Sequence, residues 1–187
     1  MAFPFGVSIH WLLTKQSSHK PRQIRKVNIM WLDERTEFAD DVSVAAAAGT
    51  ALIGDVIDST VARDLGNGQP IYLVIRTGGT EIITGGSAGT LQFKLASDDA
   101  AAIATNGDAT EHIVTDTFVT DDSAANSALF NAGGLIYMGA LPLEGPTYER
   151  YLGILAVTAT TTTTAGTINA YLTLDPAGWK SYADATN

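Results

Sequence analysis

His112 is the side chain best suited to acid–base chemistry in this 187-residue sequence, because histidine titrates near neutral pH. It is the only histidine after Met30, and Asp116 follows it four residues later. One imidazole and one carboxylate do not make a metal site, which needs more ligands. Without further partners they do not make a nucleophilic triad either. We therefore interpret His112 as an exposed or half-buried histidine of a strand.

Acidic residues occur in adjacent pairs that could attract a cation: Asp40-Asp41, Asp98-Asp99 and Asp121-Asp122. A calcium loop places carboxylates at alternate positions and ends on a Glu, and none of the pairs has that pattern. We interpret them as solvated ends of loops. A structural cation that bridges two loops is the alternative.

The run from Gly85 to Thr90 is rich in glycine, as phosphate-binding loops are, but no Lys follows it and no helix begins there. Because glycine adopts positive φ without strain, the run is interpreted as a hairpin turn. Glu144, Glu149 and Asp175 offer carboxylates for a glycosidase, but spacing that crosses strands does not establish a pair. We predict no catalytic residue, no metal site and no cofactor, in a protein that is not an enzyme.

Composition excludes several other classes of protein. The absence of cysteine excludes disulfide scaffolds, iron–sulfur clusters and thiol catalysis. No stretch approaches the roughly 20 apolar residues that a membrane helix needs. The net charge of −9 argues against binding to nucleic acid, which requires clustered Lys and Arg. With 45% hydrophobic and 17% charged residues, the chain is expected to fold as one acidic domain with some overhang.

The charges divide the chain near Met30. Five of the 11 basic residues and none of the 20 acidic ones precede Met30, so the remainder carries a net charge of −14. Such a change in composition marks a change of physical role. We predict a basic N-terminal extension, 1–29, followed by a β-domain, 30–187. The extension is interpreted as poorly ordered, or alternatively as an arm that reaches an acidic partner or folds back on the acidic body.

Strand-like patterns dominate the sequence after Met30. Alternating apolar residues and β-branched runs recur between clusters of Gly, Asn, Asp and Pro. The predicted strands span 51–57, 71–76, 81–84, 91–97, 112–119, 134–141, 151–158 and 167–174. In 91–97, Leu91, Phe93 and Leu95 are predicted to face inward and Ala96 outward. About eight short strands and almost no amphipathic helix predict an all-β sandwich or barrel.

Two segments between these strands carry weaker patterns. The segment 42–48 gives no clear prediction, and 158–164 suits a hairpin or an edge strand. One helical turn is predicted within 123–130, with Asp122 as its N-cap.

Aromatic residues and one arginine are the candidate interface residues. The aromatic ones could pack in the core or anchor a subunit contact, since Trp and Tyr are enriched at interfaces. Arg150 follows Glu149 in a body that holds only six basic residues, so a paired, partly buried guanidinium is predicted, with contact to a partner as the alternative. The candidates are Trp31, Phe38, Tyr148, Arg150, Tyr151, Trp179 and Tyr182.

A set of ordered motifs resembles a known family. The motifs are Met30-Trp31-Leu32-Asp33 through Phe38-Ala39-Asp40, Val56-Ile57-Asp58, the loop from Arg63 to Gly68, Pro70 to Val74, Glu149 to Leu152 and Ala170 to Asp175. In this order and spacing, the chain from about Met30 to Asp175 is similar to the capsid cement, or decoration, proteins of short-tailed bacteriophages. The extension before Met30 and the glycine-rich run near Gly85 depart from that family's pattern.

The resemblance implies a fold and a role. It implies a jelly-roll β-sandwich that forms a homo-oligomer, a dimer or trimer, and binds the outer surface of a bacteriophage capsid, where it stabilises contacts between subunits of the major capsid protein. It carries over no catalytic residue. The alternative function is a β-sandwich module that binds carbohydrate or a host surface, for which loop aromatic residues would serve. An enzyme that depolymerises a polysaccharide ranks third.

Overall fold

The computed structural model describes residues 34–62, 65, 68–84, 88–119 and 127–176. A 3₁₀ turn, Glu34–Thr36, precedes the strands, and α1 is the short helix Ser127–Phe130. The strands are β1 Glu37–Ser43, β2 Gly49–Asp58, β3 Tyr72–Thr77, β4 Ile83–Thr84, β5 Thr90–Asp98, β6 Thr110–Val114, β7 Phe118–Val119, β8 Leu135–Ala140, β9 Tyr151–Ala159, β10 Thr163–Ala165 and β11 Thr167–Thr173.

Eight of these strands form two main sheets. The first sheet has the order β1-β11-β3-β8 and the second the order β2-β9-β5-β6, with β7 added beside β5. Every pairing is antiparallel. Strands β4 and β10 make a separate two-stranded ribbon. The predicted all-β class is confirmed, and the chain passes from one sheet to the other between most successive long strands.

The core lies between the two main sheets. Alternate residues point inward because successive side chains of a strand face opposite sides. The second sheet contributes Phe93 and Ile154 to the core and the first sheet contributes Leu73 and Ile168, all of them fully buried. The inward direction predicted for Leu91, Phe93 and Leu95 is confirmed. A single apolar layer therefore holds the two sheets together as a β-sandwich.

A second, smaller apolar cluster lies on the outer side of the second sheet. The connection 99–109 folds over β5 and β9, where Ile103 packs against Ala96 and Leu155. Asp98 anchors this loop: its carboxylate accepts the backbone N–H groups of Ala100 and Ala104, each at 3.0 Å, which lowers its pKa. Ala96 points outward as predicted, but the loop buries it completely.

One segment differs from the strand predictions, and the structure of a second had no clear prediction. The predicted strand 112–119 is interrupted at 115–117, where Thr115 Oγ1 accepts the N–H of Phe93 at 3.0 Å. This side-chain bond replaces a regular backbone bond and separates β6 from β7. The segment 42–48 ends β1, and Ala46 then makes a bridge to Thr163. The helical turn was predicted correctly at Ser127–Phe130, whereas its proposed cap, Asp122, lies outside the described residues.

Asp41 ties together the corner where β1, β11 and the turn after β3 meet. Its φ of 51° is unusual for a residue other than glycine. The carboxylate accepts the Thr167 hydroxyl and the Gly79 N–H, and the Asp41 N–H donates to Asn169 Oδ1. These bonds favour the ionised carboxylate, so its pKa lies below the ordinary value of 3.8.

Gly54 occupies a β-bulge of β2 where no side chain fits. Its φ is 68°, and a Cβ there would overlap the carbonyl oxygen of Phe38 in β1. We expect Gly54→Ala to lower the free energy of unfolding by about 2–6 kcal/mol, because strain at positive φ and forced overpacking add about 1–3 kcal/mol each. Gly107 has φ 99° but open space around it, so Gly107→Ala is the matched control and should lose about 1 kcal/mol. Urea unfolding measures both; equal losses would contradict the overlap.

The Asp41 carboxylate should make stability depend on acid pH. Because its folded pKa is lowered, its contribution is fully present above 3.8 and is lost as pH falls through the lower folded pKa. The difference in unfolding free energy between wild type and Asp41→Asn should therefore shrink as pH falls from 5 toward 2. Thr167→Val, which removes the main donor, should weaken this dependence. A difference that stays constant with pH would show that the carboxylate is not bound in this way.

Candidate functional site

Motifs that are far apart in the sequence meet at one end of the sandwich. This end, called here the Arg150 end, consists of the described residues of the loop 59–71, the loops 99–109 and 141–150, and the strand ends beside them. In the second sheet, Tyr151 pairs with Asp58 on one side and Asp98 on the other. In the first sheet, Leu141 donates its N–H to the Ile71 carbonyl at 2.8 Å. The antiparallel pairing therefore gathers the ends of β2, β5 and β8 with the beginnings of β3 and β9.

Arg150 forms a two-point ion pair with Asp58 on the surface of this end. Nε donates to Oδ1 at 2.9 Å and Nη2 to Oδ2 at 2.8 Å. The guanidinium lies 4.7 Å from the centre of the Tyr151 ring, within cation–π distance. The pair lowers the pKa of Asp58 to about 2 and raises that of Arg150. The side chains stay 44% and 40% exposed, so a partner could reach both charges.

Arg150 follows Glu149 in the chain, but Glu149 is not its partner. The residue that pairs with Arg150 is Asp58, 92 positions away in the chain. Both residues lie in the loop that precedes β9, and their side chains take different partners. Glu149 Oε1 instead accepts the Thr110 hydroxyl at 2.8 Å. The predicted pairing of the guanidinium is confirmed, but the predicted partial burial is wrong, because the Arg150 side chain is exposed.

A buried polar network lies beneath the Arg150 end. Ser97 Oγ accepts the Glu149 N–H at 3.1 Å, so its own proton is free to point toward His112 Nε2, 2.7 Å away. The His112 ring stacks on Tyr148, with 3.9 Å between ring centres. Tyr148 in turn donates its hydroxyl to the Pro142 carbonyl at 3.0 Å. The network connects the second sheet to the 141–150 loop.

Burial sets the protonation state of this network. It lowers the pKa of His112 and raises that of Tyr148 to about 12, so both side chains favour their neutral forms. A neutral His112 can accept at Nε2, whereas a protonated ring cannot. Ser97 is fully buried, so its hydroxyl is closed to a substrate. The Ser97–His112 pair is therefore suited to structure rather than to nucleophilic attack.

One sequence pattern of serine hydrolases is present, but it does not include Ser97. The residues Gly85-Gly86-Ser87-Ala88-Gly89 match the spacing Gly-x-Ser-x-Gly, which in those enzymes makes a turn from a strand into a helix. Here the run lies between β4 and β5, which are both strands. Gly85, Gly86 and Ser87 lie outside the described residues. The histidine of the body bonds Ser97.

The predicted interface residues fall into three groups. Phe38 and Tyr148 are buried in the main core, so their side chains pack inside the subunit rather than on its surface. Arg150 and Tyr151 lie together at the Arg150 end, exposed and half-buried respectively. The other three candidates lie outside the described residues: Trp31, Trp179 and Tyr182.

The Arg150 end also exposes apolar side chains that were not among the predicted interface residues. Val61 and Leu143 project from the 59–71 and 141–150 loops. Leu143 borders a hollow of about 160 Å³ that Leu65, Pro142 and Tyr148 also line. For Leu143, the position between Pro142 and Glu144 was the available signal. Together with Arg150 and Asp58, they give this end the mixed apolar and charged character of a binding surface.

The described residues hold no group of three or more His, Asp or Glu side chains placed to bind a metal ion. In the same part of the chain, no helix has the length and apolar character needed to cross a membrane.

No protein-family model matches the chain, and no curated protein matches it. The Arg150 end and the motifs that lie there are therefore the basis for assigning a function.

His112 should make the fold sensitive to mild acid. Because its folded pKa lies below the ordinary value of 6.5, the unfolded chain takes up the proton first as pH falls below 6.5, and stability decreases toward the lower folded pKa. We expect wild type to lose more unfolding free energy than His112→Gln between pH 7 and pH 5. Parallel denaturant titrations measure the difference. Identical pH dependence in the two proteins would mean that His112 does not titrate differently on folding.

Proposed function

We propose that this chain is a non-enzymatic structural protein of the virion, which binds the outer surface of a bacteriophage capsid and stabilises contacts between subunits of its major capsid protein. It acts as a homo-oligomer and needs no cofactor, membrane or nucleic acid. The Arg150 end is the surface that we assign to the capsid.

The main support for this proposal is that motifs similar to those of the capsid cement proteins lie together at the Arg150 end. Val56 to Asp58 ends β2, Pro70 to Val74 leads into β3, and Glu149 to Leu152 begins β9. Core residues of a sandwich are spread along the whole length of its strands, so packing alone does not require such clustering. A shared docking surface at this end would account for it.

The strand order supports the jelly-roll form implied by the resemblance. Numbered one to eight along the chain, the long strands are β1, β2, β3, β5, β6, β8, β9 and β11. The first then pairs with the eighth, the second with the seventh, the third with the sixth and the fourth with the fifth. A long antiparallel hairpin that is rolled into two sheets has this pairing, as expected for a jelly roll.

Charge and geometry are suited to a role on the outside of a capsid. The part of the chain after residue 29 carries a net charge of −14, which repels the phosphates of a packaged genome. Many copies on one lattice gain avidity, so each contact can be modest. The Asp58–Arg150 pair offers both signs of charge to a partner while it holds its own geometry.

Capsid binding is the direct test. Purified protein should co-sediment with expanded capsid shells of its phage and raise their melting temperature. We expect Arg150→Gln to weaken this binding by at least about tenfold, as loss of a central arginine contact does. The matched control, Arg76→Gln, alters β3 near the opposite end of the sandwich and should change the affinity by less than about twofold. Circular dichroism checks that both variants fold.

Two results would contradict the proposal. Wild-type protein that ignores expanded capsids but is retained on a glycan array would favour the carbohydrate-binding alternative. Equal losses from Arg150→Gln and Arg76→Gln would keep the capsid role but remove the Arg150 end as its surface.

A further inference from the structure

Strand β8, at one edge of the first sheet, differs in charge from the other edge strands of the sandwich. Within the described residues, the two main sheets end at β1, β8, β2 and β6, with the two-residue β7 on the same edge as β6. The other three long edge strands carry acidic or histidine side chains: Glu37, Asp40 and Asp41 in β1, Asp55 and Asp58 in β2, and Glu111 and His112 in β6. Strand β8, Leu135–Ala140, carries no Asp, Glu, Lys, Arg or His.

An exposed strand edge offers unpaired N–H and C=O groups to another chain, and proteins usually block it with charges, bulges or proline. Strand β8 has a register irregularity opposite Ile75 and Arg76, after which Tyr137 to Ala140 pairs regularly with β3. Leu135 and Met138 remain exposed along it, Met138 to 49%. Among the described residues no strand pairs with the outer side of β8, so the regular part of this edge is unpaired there and exposes apolar side chains.

The uncharged character extends beyond the strand itself. No Asp, Glu, Lys, Arg or His occurs from Ser123 to Leu143. A longer uncharged run, from Tyr151 to Leu174, forms β9 and β11, which are interior strands with a neighbour on each side. At an edge, the same lack of charge removes the usual protection against pairing.

Electrostatics selects the partner of this edge. Two copies of a strongly acidic chain repel each other, and pairing β1 with β1 or β2 with β2 would bring carboxylates from both copies together. Pairing β8 with β8 brings no charged side chain of either strand into contact. A second copy of this chain is therefore the partner that the edge fits.

We propose that β8 is the subunit interface of a homodimer, in which two β8 strands pair antiparallel across a two-fold axis and join the two first sheets into one eight-stranded sheet. This inference deepens the self-association proposed above and rests on it, but it does not require capsid binding. A two-fold axis places the same face of both sheets on one side, so the two Met138 side chains lie near each other. Each Met138 also packs beside the buried Val74 of its own subunit.

Charge substitution at Met138 tests the interface. Two lysines or two glutamates near the axis repel, so Met138→Lys and Met138→Glu should each raise the dimer dissociation constant by at least about tenfold. A mixture of the two variants should recover a heterodimer, because opposite charges then meet. Sedimentation velocity measures the three states. Recovery on mixing also shows that the single variants are folded.

Val114 supplies the matched control. It is 50% exposed on β6, the corresponding edge of the second sheet, so Val114→Lys should leave the dimer unchanged. The natural absence of cysteine allows a second readout, in which a short bismaleimide links Met138→Cys into a dimer and does not link Val114→Cys. A monomeric wild type, or a dimer that survives both Met138 charge variants, would overturn the proposal.

The two proposals can fail separately. If Met138→Lys is monomeric and still co-sediments with expanded capsids, β8 forms the dimer and the capsid surface lies elsewhere. If wild type dimerises through β8 but ignores capsids, the dimer stands and the capsid role fails.

Discussion

Burial of one apolar layer between two sheets is the constraint on which the rest of the molecule depends. The long strands pair with partners distant in the chain, as β1 does with β11 and β2 with β9. Local turns cannot hold such pairs together, so burial of inward residues such as Phe93 and Ile154 must do so. The loops of the Arg150 end have a defined position only because this layer fixes the strand ends beneath them.

At the Arg150 end, the polar interactions in the interior and those on the surface have different roles. In the network of Ser97 and His112, Ser97 is fully buried and His112 is half-buried, and this burial favours the neutral imidazole. Its hydrogen bonds hold the 141–150 loop on the second sheet. The Asp58–Arg150 pair lies at the surface, where water screens its attraction and its contribution to stability is small. Its value is geometric, since it fixes two charges and an aromatic ring in one exposed place.

Acidic charge affects both the surface of the body and the edges of its sheets. It keeps the surface soluble and repels phosphate, and on β1 and β2 it opposes pairing with another copy. In the dimer that we propose, the lack of charge on β8 lets the same acidic background direct self-association to that edge. One property of the composition thus acts on both proposed roles, attachment to a capsid and assembly with a second copy.

By itself, the sequence determined the strand content, the inward row of 91–97 and the separation of a basic extension from an acidic body, because alternation and composition are local properties. The helical turn at Ser127–Phe130 was predictable for the same reason. Tertiary structure alone decided that Arg150 pairs with Asp58, that His112 bonds Ser97 and that a loop buries Ala96. These contacts join residues on different strands or loops. Their partners follow from sheet order and register, which the whole core sets and no short segment encodes.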